Sequence, residues 1–342
     1  MRRLDSLMQI VAPLIRPIYG GAGVILMFHR VLPTESRPRI HGHAALEITP
    51  EALEQTIRYF ARRNYTVYSP SDLFEYLMGA KKADKPFVLF TFDDGYVDNL
   101  TYAYPIFKKH NIPFTINVST CFPERTAVIW WYLLEDLILD RDRLTYEHNG
   151  QLYDFDCATK AGKSHAYATT RKLFKFANVL ERDQLTITVL LANRMDLLRK
   201  TDEVALTWEH LKQLASDPLV TVGAHTVNHY VLSSLSEEEV RGEVLRSRRI
   251  LEAKLDKRIE HFAYPFGNRR EAEAREFHIA AECGFKTAMT TRIGSIFPVH
   301  GSHMMTLPRY DLNQLHPPRN LDLVTSGALS MRVNRLRRVS TV

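Results

Sequence analysis

The chain has 342 residues, 45% hydrophobic and 25% charged, a balance that excludes disordered and fibrous proteins and leaves a globular one with room for a large core. Its 45 Lys and Arg against 39 Asp and Glu give a net charge of +6. That excess suits an anionic polymer, a membrane surface or nucleic acid equally and selects none, although no aromatic-rich basic stripe points to nucleic acid.

Residues 1–20 open as Met1-Arg2-Arg3-Leu4, like a signal peptide, but Asp5, Gln9 and Arg16 break the apolar stretch and no small-residue cleavage site follows, so the segment reads as uncleaved. Leu4, Leu7, Met8, Val11, Leu14 and Ile15 recur at helical spacing. They predict an amphipathic helix, either packed on the domain or in peripheral contact with a membrane. No run of 18 apolar residues occurs, so no spanning helix is expected. Cys121, Cys157 and Cys283 are odd in number and widely spaced, which reads as free thiols.

Short runs rich in β-branched and aromatic residues predict strands at 24–28, 65–68, 87–92, 114–118, 220–224, 261–264, 287–290 and 305–307. Between them, Thr49-Pro50 and Ser69-Pro70 place a capping hydroxyl before a proline. Ser236 and Glu239 form a capping box that opens a helix to about 255, with Val240, Val244, Leu251 and Leu255 as its apolar stripe. This alternation predicts an α/β fold around a parallel sheet, with strands short enough for barrel staves. Residues 121–206 break the rhythm with helical patterns at 133–139 and 185–198. They read as a helical insertion in one barrel loop. Within it, Trp130-Trp131-Tyr132 either stacks on a sugar ring or forms the insertion's own core. The domain is thus expected over 21–316, with a basic tail from 317 to 342 that lacks strand or helix signals and reads as a poorly ordered end.

The chemistry concentrates at strand ends. Phe87-Val88-Leu89-Phe90-Thr91-Phe92 runs directly into Asp93-Asp94-Gly95-Tyr96. Neighbouring carboxylates there point to different sides, so one can bind a metal while the other takes a proton. Val220-Thr221-Val222-Gly223-Ala224 likewise runs into His225-Thr226-Val227-Asn228-His229, whose two imidazoles can grip one ion. One carboxylate and two imidazoles leave coordination positions open, as in a catalytic site. A redox iron could use the same ligands, but the second carboxylate favours hydrolysis.

These motifs, with Leu232-Ser233-Ser234-Leu235-Ser236 and Phe262-Ala263-Tyr264-Pro265-Phe266-Gly267, resemble the polysaccharide deacetylases that share the NodB homology domain of chitooligosaccharide deacetylase. The resemblance spans about residues 20–312 apart from the insertion and implies a distorted (β/α)7 TIM-like barrel as a single catalytic domain. It implies hydrolysis of the N-acetyl group of amino sugars in a poly- or oligosaccharide. Asp93 would be the general base, and Asp94, His225 and His229 would hold a divalent metal, usually Zn2+. Tyr264, Pro265 and Phe266 would line the groove, and the Tyr96 amide would add an oxyanion donor. Trp208 resembles a recurrent feature of one subgroup, although core packing explains it equally.

Two departures from the family pattern stand out. Ala263 occupies the place of an arginine that pairs with the base, and Arg309 is the candidate substitute. No late Leu-x-His motif supplies the general acid. His29, in Met27-Phe28-His29-Arg30, resembles the acid of a subgroup that includes biofilm-polysaccharide deacetylases, with His300 and His303 as the other candidates. A deacetylase of a small non-sugar amide and an inactive carbohydrate-binding barrel are the alternative readings. Without an evident cleavable signal, the expected location is cytoplasmic or peripheral to the inner membrane.

Overall fold

The computed structural model describes residues 12–33, 39–40, 46–313 and 321–339. In chain order its strands are β1 (Gly23–Phe28), β2 (Arg30–Val31), β3 (Glu47–Ile48), β4 (Thr66–Val67), β5 (Phe87–Phe92), β6 (Phe114–Val118), β7 (Arg143–His148), β8 (Gln151–Asp156), β9 (Val220–Ala224), β10 (His261–Ala263), β11 (Thr287–Met289) and β12 (Tyr310–Asp311). Strands β1, β5 and β6 are buried at every residue. Such unbroken apolar runs belong to parallel strands covered on both faces.

Eight strands form one parallel sheet in the order β11-β10-β9-β6-β5-β1-β12. The eighth, β4, lies against Phe87 and Val88 of β5, while β6 takes Thr91 and Phe92 further along. Because β1 fills the other edge of β5, β4 and β6 share one place in the ring. Residues 304–312 join the two ends of the sheet. The Leu307 N–H donates to Ala288 O and the Thr290 N–H to Leu307 O, and past Pro308 the chain crosses to β1, where Tyr310 and Asp311 pair with Leu26 and Met27. The result is the distorted (β/α) barrel that the resemblance implies. One strand differs from its expected place: residues 305–307 make only a single bridge, and the strand forms at β12, because Pro308 lacks the N–H that would continue the ladder.

Helices cover the sheet as their caps predict. Pro50–Arg62 starts on Thr49, whose side chain accepts from the Ala52 N–H, and buries Leu53, Ile57 and Phe60 at helical spacing. Pro70–Leu77 begins with a Ser69–Asp72 capping box, and Glu237–Leu255 with the expected Ser236–Glu239 box.

The insertion is not wholly helical. Helix Trp130–Leu139 leads into the antiparallel hairpin β7–β8, followed by helices Lys160–Phe176, Val179–Leu185 and Arg199–Val204. The hairpin turns on Asn149 and Gly150, both at positive φ (50° and 72°), as a two-residue turn of the favoured hand requires. Trp130, Trp131 and Tyr132 are buried in a hydrophobic cluster with Leu144, Phe155, Phe174 and Leu185, a core separate from that of the barrel.

Residues 1–11 of the expected N-terminal helix lie outside the described residues, and a helix covers 12–19, on which Leu14 of the apolar stripe is exposed. The C-terminal end corrects the sequence reading. The tail is ordered through most of its length: helices Leu321–Thr325 and Ala328–Val333 bury Leu321, Val324 and Ala328, with Leu321 and Val324 in the barrel core. Such short helices carry no periodic signal of their own and exist through packing. Among the described residues no helix is long and apolar enough to cross a membrane. Leu321→Ala should therefore lower stability by about 2–5 kcal/mol in urea unfolding, the usual cost of emptying a packed core site. A loss under about 0.5 kcal/mol, the size of a surface change, would mean that the tail does not belong to the fold.

Candidate active site

The C-terminal ends of the strands converge on a cleft of about 220 Å³. β1 delivers His29, β5 delivers Asp93 and Asp94, β9 delivers His225 and His229, and β12 delivers Asp311. This is the end of a parallel barrel where catalytic groups collect. Trp130, Trp131, Arg171 and Lys175 from the insertion wall the cleft, with Phe266, Asn268 and Thr291 beyond β10 and β11.

Asp94, His225 and His229 are all buried, and their candidate ligand atoms lie within 4.8 Å of one another. Asp94 Oδ1 is 3.0 Å from His229 Nε2 and 3.4 Å from His225 Nε2, yet it has no hydrogen-bond partner. The His225 Nδ1–H donates to Ala263 O at 2.7 Å, which fixes the tautomer and turns the Nε2 lone pair toward the cluster. Burial holds the His229 pKa below its ordinary value, the Asp94 charge notwithstanding, and so favours the neutral imidazole that a metal requires. An orphaned buried carboxylate oxygen facing two imidazole nitrogens fits a divalent cation, and two imidazoles with one carboxylate are a zinc donor set.

Asp93 is buried beside this cluster and held from the opposite side. Arg309, with no exposed surface, donates from Nη1 to Asp93 Oδ1 (2.8 Å) and from Nη2 to Oδ2 (2.7 Å). Asn117 Nδ2 donates to Oδ1 at 2.8 Å, and a Cβ at Gly223 would meet Asn117 Oδ1 at 2.3 Å, so the glycine makes room for that amide. Burial alone would raise the Asp93 pKa. That burial is the largest single influence, but the Arg309 charge and hydrogen bonds, together with the nearby His225 and His29, outweigh it and bring the carboxyl down to about 2.

The ligand turns are strained and tied down. Asp94, Thr226, His229 and Phe266 have φ of 78°, 68°, 55° and 60°, conformations that cost non-glycine residues on the order of 1–3 kcal/mol each. Hydrogen bonds offset this. The Ser119 N–H donates to Asp94 O, the Thr120 N–H to Thr226 O, and the His229 N–H to Thr226 Oγ1. Glu243, on helix Glu237–Leu255, accepts the Val227 N–H (3.0 Å) and Asn228 N–H (2.8 Å) at Oε2 and the Asn228 side-chain amide (2.7 Å) at Oε1. One carboxylate thus clamps the turn between the two histidines.

The structure brings together Asp93, Asp94, His225, His229, His29 and Arg309. Of the remaining candidates that the resemblance implies, only Phe266 lines the cleft. Tyr264 is fully buried in the barrel core and its hydroxyl donates to Met305 O, and Pro265 is buried behind it; of that motif only Phe266 lines the cleft. Trp208 packs on the barrel core under Lys254, and His300 is buried on the 298–302 turn against Phe297, with its pKa pulled down to about 4 by that burial. His303 follows on the same turn, and none of these three lines the cleft. The Tyr96 side chain is buried under Arg30 and accepts from Trp131 Nε1, so it props the aromatic wall rather than facing the cleft. Asn117 and Glu243 were missed, although each is a polar residue at a buried position of an apolar pattern.

The polysaccharide deacetylase family model matches residues 80–137 and 164–288, more than half of the chain, and skips the hairpin. YxkH of Bacillus subtilis (strain 168), named as a polysaccharide deacetylase, is 32% identical over 92 residues, which are 27% of this chain and 30% of YxkH. The deacetylase PplD of Streptococcus pyogenes, solved in complex with acetate, superposes with a TM-score of 0.58 at 19% identity, covering 88% of this chain and 97% of PplD. IcaB of Ammonifex degensii gives 0.54 at 18% identity, covering 89% and 97%. These likenesses carry the fold, and the match to the family model carries the membership: the chain belongs to the polysaccharide deacetylase family.

Proposed function

We propose that the protein is a metal-dependent carbohydrate N-deacetylase that hydrolyses the N-acetyl group of N-acetylated amino sugars in an oligo- or polysaccharide. The observation that carries this reading is the convergence of Asp94, His225 and His229 beside an ionised Asp93, under an aromatic wall. Asp94, His225 and His229 would hold a divalent cation, Zn2+ by its donor set, which would supply Lewis acidity to the acetamide carbonyl and to a water. Asp93 takes the proton from that water. Arg309 and Asn117 orient its carboxylate and keep it charged at working pH. His29, on the β1 side of the same cleft, gives a proton to the departing amine. The Tyr96 amide is the further donor for the developing oxyanion. Trp131 and the half-buried Phe266 give the cleft wall an aromatic character suited to a sugar ring, which favours a saccharide over a small non-sugar amide, whereas Trp130 stacks on Phe174 in the insertion's own core. The family membership and the acetate held by PplD, the product class of such a reaction, support the same reading.

Acetate release from N-acetylglucosamine oligomers by zinc-loaded protein tests it. Chelation and Asp93→Asn should each abolish release, and failure of the loaded protein on every oligomer would overturn the sugar assignment.

The pH profile tests the ion pair. With the Asp93 pKa near 2, below the ordinary ~3.9, the ionised form and the stability it confers persist above the unfolded value and are lost only as pH falls through about 2. Arg309→Met leaves burial unopposed by that charge, so the pKa rises and the acid limb of kcat/KM should move up by at least about one pH unit, with Arg309→Lys moving it less. A limb that stays in place would show that another group sets it.

The Glu243 clamp should be visible in metal affinity. Glu243→Ala should weaken Zn2+ binding about 10–100-fold with circular dichroism unchanged, and Glu243→Gln less. Trp131, its ring centroid 5.3 Å from that of His229, provides a fluorescence readout. Unchanged affinity in the alanine variant would remove the clamp from the site.

A further inference from the structure

Helix Lys160–Phe176 of the insertion sets Arg171 and Lys175 one turn apart on the wall of the cleft. Their charges are treated differently. Lys175 Nζ donates to Glu271 at 2.5 Å and lies 5.0 Å from the Phe266 ring centroid, so its charge is matched inside the protein. Arg171 is half-buried and makes no ion pair with any carboxylate among the described residues; the group it touches is the buried Tyr167 hydroxyl. Arg309 is matched by Asp93, and Arg39 by Glu47 and Glu135, while Arg182, which also makes no ion pair among the described residues, lies over the Tyr230 ring and does not line the cleft. Asp311 faces the cleft from β12, which pairs with β1, and lies beyond ion-pair distance of Arg171.

We propose that Arg171 forms a subsite for an anionic group, a carboxylate or a phosphate, carried by the saccharide whose acetamide reacts at the Asp93–Asp94 centre. The inference rests on the deacetylase reading and adds the charge class of the substrate. A guanidinium drawn partly out of water with one neutral acceptor has donors to spare. It is planar, permanently charged and shaped for two-point contact with a carboxylate or phosphate. Neutral sugar hydroxyls accept hydrogen bonds but leave the charge unmatched. The remaining cleft charges do not supply the match: Asp93 is engaged by Arg309, and Asp94 faces two imidazoles. The +6 net charge of the chain acts in the same direction.

Three probes separate the sources: a neutral N-acetylglucosamine tetramer, an oligomer in which N-acetylglucosamine alternates with glucuronate, and N-acetylglucosamine 1-phosphate. The wild-type protein should favour one of the anionic probes over the neutral one by at least tenfold in kcat/KM. Arg171→Gln should cut that ratio at least tenfold, mainly through KM, Arg171→Lys should restore part of it, and raising salt should narrow it. A wild-type ratio near one, or a ratio that Arg171→Gln leaves unchanged, overturns the subsite while turnover of the neutral probe keeps the deacetylase reading. If no probe releases acetate, the deacetylase reading fails, and binding still decides the subsite. Glucuronate and glucose 1-phosphate, titrated into chelated protein and followed by tryptophan fluorescence, should bind the wild type at least fivefold more tightly than Arg171→Gln; equal binding overturns it.

Discussion

The pairing of Asp93 with Arg309 is the contact on which barrel and site both depend. Asp93 ends the central strand β5, and Arg309 lies in the 304–312 segment that joins the two ends of the sheet. The same guanidinium donates from Nε to Thr290 O after β11 and from Nη1 to Thr91 Oγ1 on β5. One side chain therefore ties the middle of the sheet to its far edge across the barrel interior. A buried carboxylate without a partner costs several kcal/mol, so closure of the ring and ionisation of the base are a single requirement. The Ala263 position shows the economy of this arrangement. It has no guanidinium to offer, but its carbonyl orients His225, and the charge arrives from another strand.

The neighbouring ligand turns follow a different logic. Asp94, Thr226 and His229 sit at positive φ, which no local preference of these residues would select. The strain is held by hydrogen bonds from the β6 end and by Glu243, which reaches in from a covering helix. Three ligand atoms converge because the backbone around them is over-determined, and a small relaxation of any tie would spread them. Preorganisation of this kind lets the site present its donors without first having to collapse around an ion.

Much of this was legible in the sequence for a definite reason. A parallel barrel displays its chemistry where apolar strands stop, so Phe92-Asp93-Asp94 and Ala224-His225 announce themselves, whereas Arg309 lies just before β12, after the single bridge at Leu307. What was not legible depended on direction or on packing. Tyr264 and Trp208 have the right chemistry, but the pleat and the helix register turn them into the core. Glu243 falls in the buried stripe with Val240, Val244 and Ser247, a charged residue in an apolar register that pattern reading passes over. The hairpin carried its signal in Asn149-Gly150, overridden by the helical reading of the whole insertion. The tail helices are five and six residues long and form because Leu321 and Val324 fill the barrel core.

The cleft draws its side chains from two hydrophobic cores. The strand ends that hold Asp93, Asp94, His225 and His229 rest on the barrel, whereas Trp130, Trp131, Arg171 and Lys175 stand on the insertion, whose hydrophobic cluster runs from Trp130 through Phe174 to Leu190. The two are joined at many points, among them Trp131 Nε1 donating to the Tyr96 hydroxyl, the Trp131 ring against His229, Lys175 paired with Glu271, and Glu135 paired with Arg39. Side chains on the insertion set the charge and aromatic character of one cleft wall, while the ligand turns keep ties of their own to Glu243 and the β6 end. The barrel strand ends thus carry the buried carboxylates and imidazoles, and the insertion carries the cationic and aromatic side of the cleft wall.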